Sequence, residues 1–132
     1  MEPKRLKSVY ERIHQNLGRQ EKKTLIIRNT EGIYRFAYED ILYARSERRL
    51  VYLVTKRGEY SFYKKLDELE QQLDGTFVRI HQRYLVNSAA VARIANSEVE
   101  IEKRDGSMTV LPMSRALKEE ATTKLARAML EE

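Results

Sequence analysis

The spacing of apolar residues changes several times along this chain, and each change marks an element boundary. From Pro3 to about Gly18 the apolar positions are Leu6, Val9, Tyr10, Ile13 and Leu17. Steps of three, one, three and four place them on one face of an amphipathic helix. Pro3 suits its first turn and Gly18 its stop. A helix this short needs a partner surface to be stable. Arg19-Gln20-Glu21-Lys22-Lys23 then reads as a polar linker, and His14 falls off the apolar stripe.

From Thr24 the period drops to two. Leu25-Ile26-Ile27 and Ile33-Tyr34-Arg35-Phe36-Ala37 flank a turn at Asn29-Thr30-Glu31-Gly32. After a polar corner at Tyr38-Glu39-Asp40 come Ile41 to Ala44, an interruption at Ser46-Glu47-Arg48-Arg49, and Leu50 to Val54. Lys56-Arg57-Gly58 is a hairpin turn in which glycine supplies positive φ, and Glu59 to Phe62 returns. Leu66, Leu69 and Leu73 share one helical face, with Asp67 and Glu68 at the favourable N-terminal end and Asp74-Gly75 as the stop. Phe77 to Ile80 and Tyr84 to Val86 resume the alternation, Ala89 to Ile94 is a weak apolar segment, and Val99 to Glu102 alternates cleanly. Arg104-Asp105-Gly106-Ser107 is the strongest hairpin signal, leading to Met108–Leu111. A final helix from Ser114, its N-cap, carries Leu117, Ala121, Leu125 and Ala128 on one side.

The fold class this predicts is mainly β. About ten short, mostly antiparallel strands form small sheets, because strands seldom separated by helices pair with their neighbours. One helix lies between strands, with another at each end. Residues 1–23 form the helix and linker, and residues 24–132 the β-rich domain. Phe62, Phe77, Tyr84 and Val86 are expected in its core.

The stretch Phe77-Val-Arg-Ile-His-Gln-Arg-Tyr-Leu-Val-Asn87 stands out. A polar triplet, His81-Gln82-Arg83, sits between two apolar anchors. Arginine offers a planar fork of donors, glutamine a donor and an acceptor, and histidine either, which are the groups that read base edges and phosphates. On residue types alone, the ordinary explanation is an exposed strand end.

Composition narrows the classes. The 132 residues suffice for one domain and an extension. No apolar run approaches the ~20 residues that span a bilayer, and no apolar segment follows the basic start as a secretory signal would require. Cysteine is absent, which permits a reducing compartment, and a cytoplasmic location is expected. Net charge is +5, with seven basic and three acidic residues up to Thr24 and 18 against 17 beyond it. Contact with DNA would therefore come from local clusters rather than a global field. The candidates are Arg45 with Arg48-Arg49, Lys64-Lys65, Arg79 with Arg83, and Arg115 with Lys118. Two histidines without cysteine argue against a metal site, no glycine cluster cradles a phosphate, and no nucleophile has a base beside it. Neither an enzyme nor a cofactor is expected. Two classes stay open on the residues alone: a DNA-binding module, or a β-rich protein-interaction module with no nucleic-acid role.

Ile41-Leu42-Tyr43, Leu50-Val51-Tyr52-Leu53, Lys65-Leu66-Asp67-Glu68-Leu69-Glu70, Phe77 to His81 with Leu85-Val86-Asn87, and Leu111-Pro112-Met113-Ser114-Arg115 follow one another in an order that resembles the LytTR DNA-binding domain, over roughly Leu25 to Leu130. Members of that family are mostly output domains of bacterial two-component response regulators. The resemblance implies about ten strands and DNA read from loops in the major groove. It places Arg48 and Arg49, then Gln82 with His81 and Arg83, and then Arg115 at the start of the final helix, in contact with DNA. The family often has His-Arg-Ser where this chain has His-Gln-Arg, so Gln82 and Arg83 are both kept as base readers. Asn87 is expected to cap the turn after it, and Lys64, Lys65 and Lys118 to neutralise phosphates. The N-terminal helix resembles the end of a receiver domain in a phosphorelay. The alternative is a free-standing regulator that uses this helix to dimerise or to hold a partner. By analogy with the family, two copies bind tandem half-sites.

Overall fold

The computed structural model describes residues 23–130. The amphipathic helix expected near the N-terminus, and all of its linker except Lys23, lie outside the described residues. Within them, each segment of period two becomes a strand. β1 (Thr24–Asn29) and β2 (Gly32–Ala37) form a hairpin. Five further strands make a central sheet: β3 (Ile41–Glu47), β4 (Leu50–Thr55), β5 (Gly58–Tyr63), β6 (Phe77–His81) and β7 (Tyr84–Asn87), in the order β5-β4-β3-β7-β6. β8 (Val91–Ala95), β9 (Glu98–Glu102) and β10 (Met108–Pro112) make a third sheet in the order β10-β9-β8. Every described pairing is antiparallel. α1 (Leu66–Gln72) lies between β5 and β6, and α2 (Lys118–Leu130) follows β10.

Alternation along the central strands sends side chains to two cores. Ile41, Ala44, Val51, Leu53, Phe62, Phe77 and Leu85 pack with Leu25, Ile27 and Phe36 of the hairpin and with Leu66, Leu69 and Leu73 beside α1. Tyr43, Val54, Val78, Ile80 and Val86 pack with Val91, Val99, Ile101 and Leu111 of the third sheet and with Ala121 and Leu125 of α2. The central sheet is thus a middle layer covered on both sides. β3 and β6 each carry a register shift, at Leu42 and at Ile80. Such an extra residue bends a strand and re-aims its neighbours.

Three boundaries differ from the sequence pattern. β3 runs on through Glu47, so only Arg48 and Arg49 remain as the turn. The weak segment from Ala89 splits into a short 3-10 turn (Ser88–Ala90) and β8. The last helix begins at Lys118 rather than just after Ser114. Ser114 does cap: its carbonyl and its Oγ accept the Leu117 N–H at 3.2 and 3.3 Å. That makes a tight turn, and the i→i−4 bonding starts only with the Ala121 N–H on Leu117. Arg115 therefore sits in the turn ahead of the helix. Of the four residues expected in the core, Phe62, Phe77 and Val86 are buried, while Tyr84 is half-exposed beside the His81 ring.

Asn87 caps as expected, with its Oδ1 accepting the Ala89 N–H at 2.9 Å. It also does more. Its buried Nδ2 donates to the carbonyls of Tyr38 (2.9 Å) and Ile41 (2.8 Å), tying the end of β7 to the start of β3. Asn87→Ala would strand those groups, each costly to leave unmade when buried. The expected loss is about 2–3 kcal/mol in urea unfolding followed by circular dichroism. A loss below about 0.5 kcal/mol, the size of an ordinary surface change, would remove Asn87 from this role.

Candidate nucleic-acid interface

Three loops meet at one end of the central sheet, joined by main-chain hydrogen bonds. The β3–β4 turn holds Arg48 and Arg49, and the Arg49 carbonyl accepts the Lys64 N–H at 3.4 Å just after β5. The β6–β7 turn holds Gln82 and Arg83, and the Arg83 carbonyl accepts the Ser46 N–H of β3 at 2.9 Å. The turn before α2 holds Arg115, and the neighbouring Ser114 N–H donates to the Ile80 carbonyl at 2.8 Å. Ile80 is the residue skipped in the β6–β7 register, so the bulge is where the third loop docks. The first two turns lie two strand spacings apart, about 10 Å, which fits within a major groove about 12 Å wide.

Arg48, Arg49, Gln82, Arg83, Arg115 and Lys118 are all exposed, and their side chains have no ion pair or hydrogen-bond partner among the described residues. Lys65 is exposed too, and its backbone N–H is held by the Glu68 carboxylate at 3.2 Å. Lys64 is half-buried and donates to Gln72 Oε1 at 2.6 Å, so its ammonium is partly committed. His81 is half-buried and braces its own turn: Nδ1 accepts the Arg83 N–H at 3.1 Å, and the ring meets Tyr84 edge-on at 5.5 Å. Only its other nitrogen is left for an outside partner.

Two basic residues proposed as members of local clusters are committed inside the fold. Arg45 bridges Glu47 (2.8 Å) and Glu59 (3.2 Å) and lies 4.2 Å from the centre of the Tyr52 ring. Arg79 is more fully used, with its side chain only 17 % exposed. Nε donates to the His81 carbonyl (2.8 Å) and Nη2 to the Gln82 carbonyl (2.7 Å), while Nη1 meets Asp67 and Glu70 of α1 at 2.8 Å each. Arg79 is thus a brace that holds the Gln82–Arg83 turn against α1. The usable signal in the sequence was the pair of acids three residues apart on α1 facing a lone arginine on a strand. Tyr63 carries no signal in the sequence pattern but stands at the same end of the sheet. It is 76 % exposed, lies across from Leu50 in the β4–β5 ladder and precedes Lys64.

A profile of the LytTr DNA-binding domain matches residues 31–126. The chain belongs to the LytTr DNA-binding domain family. Among solved structures, the LytTr DNA-binding domain of a Bacillus cereus protein described as a methyl-accepting/DNA response regulator superposes with a TM-score of 0.61. It covers 80 % of this chain and 98 % of that one at 17 % identity, a likeness of fold. No curated protein matches the sequence. The nine candidate contact residues all lie inside the matched span of the LytTr domain, whereas the whole of β1 precedes it. No described helix is long and apolar enough to cross a membrane.

Arg48 has φ of 60°, in the left-handed region, and Asn96 has φ of 56° in the β8–β9 turn. Asparagine tolerates that conformation, but for arginine it costs roughly 1 kcal/mol. Arg48→Asn should therefore stabilise the LytTr domain by about 0.5–1 kcal/mol, read by thermal unfolding. A destabilised variant would mean the turn is held by the arginine itself. Arg79→Met should cost about 1–2 kcal/mol. It should also speed hydrogen exchange at the Arg83 and Ser46 amides more than at core amides, and uniform exchange would deny the bracing role.

Proposed function

We propose that this LytTr domain is the output module of a transcription regulator and reads duplex DNA sequence in the major groove from three loops. The reading is carried by one observation: arginine and glutamine side chains without a partner among the described residues come from three separate loops at one end of one sheet. A bidentate arginine fork fits guanine and a glutamine amide fits adenine. Arg49 and Arg115 are accordingly assigned to guanines. Gln82 or Arg83 takes the base between them, with His81 Nε2 and Arg48 alongside. Lys65, Lys118 and the less free Lys64 neutralise phosphates, and the exposed Tyr63 hydroxyl is placed to join them. Two copies on tandem half-sites, and a receiver domain upstream, complete the proposal.

The experiment is selection from a randomised duplex pool, then fluorescence anisotropy against selected and scrambled duplexes at several salt concentrations. With roughly six phosphates neutralised, log K should fall against log salt with a slope of about −5. Arg49→Ala and Arg115→Ala should each lower discrimination by about 1–3 kcal/mol without altering the fold. Lys118→Ala should weaken both duplexes alike and flatten the slope by about 1. Binding that ignores salt and sequence would favour a protein-interaction module instead.

A further inference from the structure

At the far end of the central sheet, one strand length (about 17 Å) from the three loops, a cavity of about 610 Å³ opens between the β4–β5 hairpin and the β9–β10 loop. That volume is within the range of small-molecule sites. Its floor is apolar, made by Leu42 and Val54. The β3 bulge explains the floor, since it turns the consecutive Leu42 and Tyr43 towards the same core. Lys56, Lys103 and Arg104 line the cavity as well, and none has an ion pair among the described residues. Both acids of the lining have partners, and Asp105 also feels the charge of Lys103. Glu59 accepts from Arg45, and Asp105 accepts from the backbone N–H and the hydroxyl of Ser107.

Tyr43 supplies a second, independent observation. It is only 6 % exposed and lines the cavity. Its ring meets Tyr84 at 6.4 Å, but its hydroxyl has no hydrogen-bond partner among the described residues. Burial pushes the phenol above its usual range, so it stays a neutral donor. A hydroxyl with no acceptor among the described residues is free to donate to whatever occupies the cavity, water or ligand. In this cavity it lies beside an apolar floor, with Lys56 and Arg104 at the mouth free of ion pairs among the described residues and Lys103 in the field of Asp105.

We propose that this cavity binds a small amphipathic organic anion, its apolar body on Leu42 and Val54, its carboxylate or phosphate held by Lys56, Lys103 and Arg104, and an oxygen accepting from Tyr43. Arginine and lysine at the rim favour such an anion over a neutral ligand of equal size. The site shares no residue with the proposed DNA-reading loops and does not depend on that assignment.

The test is a titration of the full chain with 1-naphthyl phosphate, followed by amide chemical shifts. 1-Naphthalenemethanol and inorganic phosphate are the controls for shape and for charge alone. Saturating shifts are expected at Tyr43, Gly58 and Arg104, with affinity at least about tenfold above either control. Lys56→Glu and Arg104→Glu, both on exposed turns, should each weaken the probe about fivefold. Tyr43→Phe should weaken it with no fall in melting temperature, because no protein bond is lost. Arg49→Ala should leave it unchanged. Three outcomes would each overturn the proposal: equal binding of the neutral analogue, shifts centred on Arg48, Arg49 and Arg83, or no saturation into the millimolar range.

Discussion

Burial of both faces of the central sheet is the constraint on which the rest depends. A sheet packed on one side can slip by a residue only by exposing one hydrophobic set. Here a slip would send each set into the core shaped for the other, because Val51 and Leu53 serve one core while Val54 and Val86 serve the other, and both would be mispacked. The register is therefore fixed twice over, and with it the positions of the turns at the strand ends. Asn87 adds a polar lock at the opposite end, where its amide is shared between the starts of β3 and β8. The loops at the arginine-bearing end need little internal structure of their own, since they inherit their positions from the strands.

The charges sort into two populations that composition alone cannot separate. Arg45 and Arg79 face carboxylates on neighbouring elements and act as internal struts. Arg48, Arg49, Arg83 and Arg115 stand at loop tips with nothing opposite them among the described residues. A body that is nearly neutral beyond Thr24 thereby presents a locally cationic end. That arrangement suits a protein that must bind a polyanion at one place and not adhere along its whole surface.

Much of this was legible in the residues. Period-two runs located the strands, and Gly58 and Gly106 marked hairpins where their φ values of 137° and 89° are indeed positive. Leu66, Leu69 and Leu73 announced the short helix. What could not be read were quantities fixed by tertiary contact. Whether Arg79 is a reader or a strut depends on α1 lying beside β6, which no local pattern encodes. The start of α2 was misjudged by about three residues, because Ser114 caps a tight turn before it caps a helix. Arg48 in a left-handed conformation was hidden because the sequence there lacks the glycine or asparagine that usually marks such a turn. In the candidate site the turns between strands were legible from the period-two pattern, but the bonds that hold them together at one end of the sheet were not. Those bonds run from Lys64, Ser46 and Ser114 to distant carbonyls.

The Arg79 strut bears on any attempt to move the neighbouring tip between related domains. The Gln82–Arg83 tip is only two residues long, and its shape is imposed from behind by a guanidinium that α1 anchors through Asp67 and Glu70. Moving the tip alone into another scaffold would carry the two residues without the frame that shapes them. The exchangeable unit is a discontinuous one, the tip together with its arginine and the two helix carboxylates.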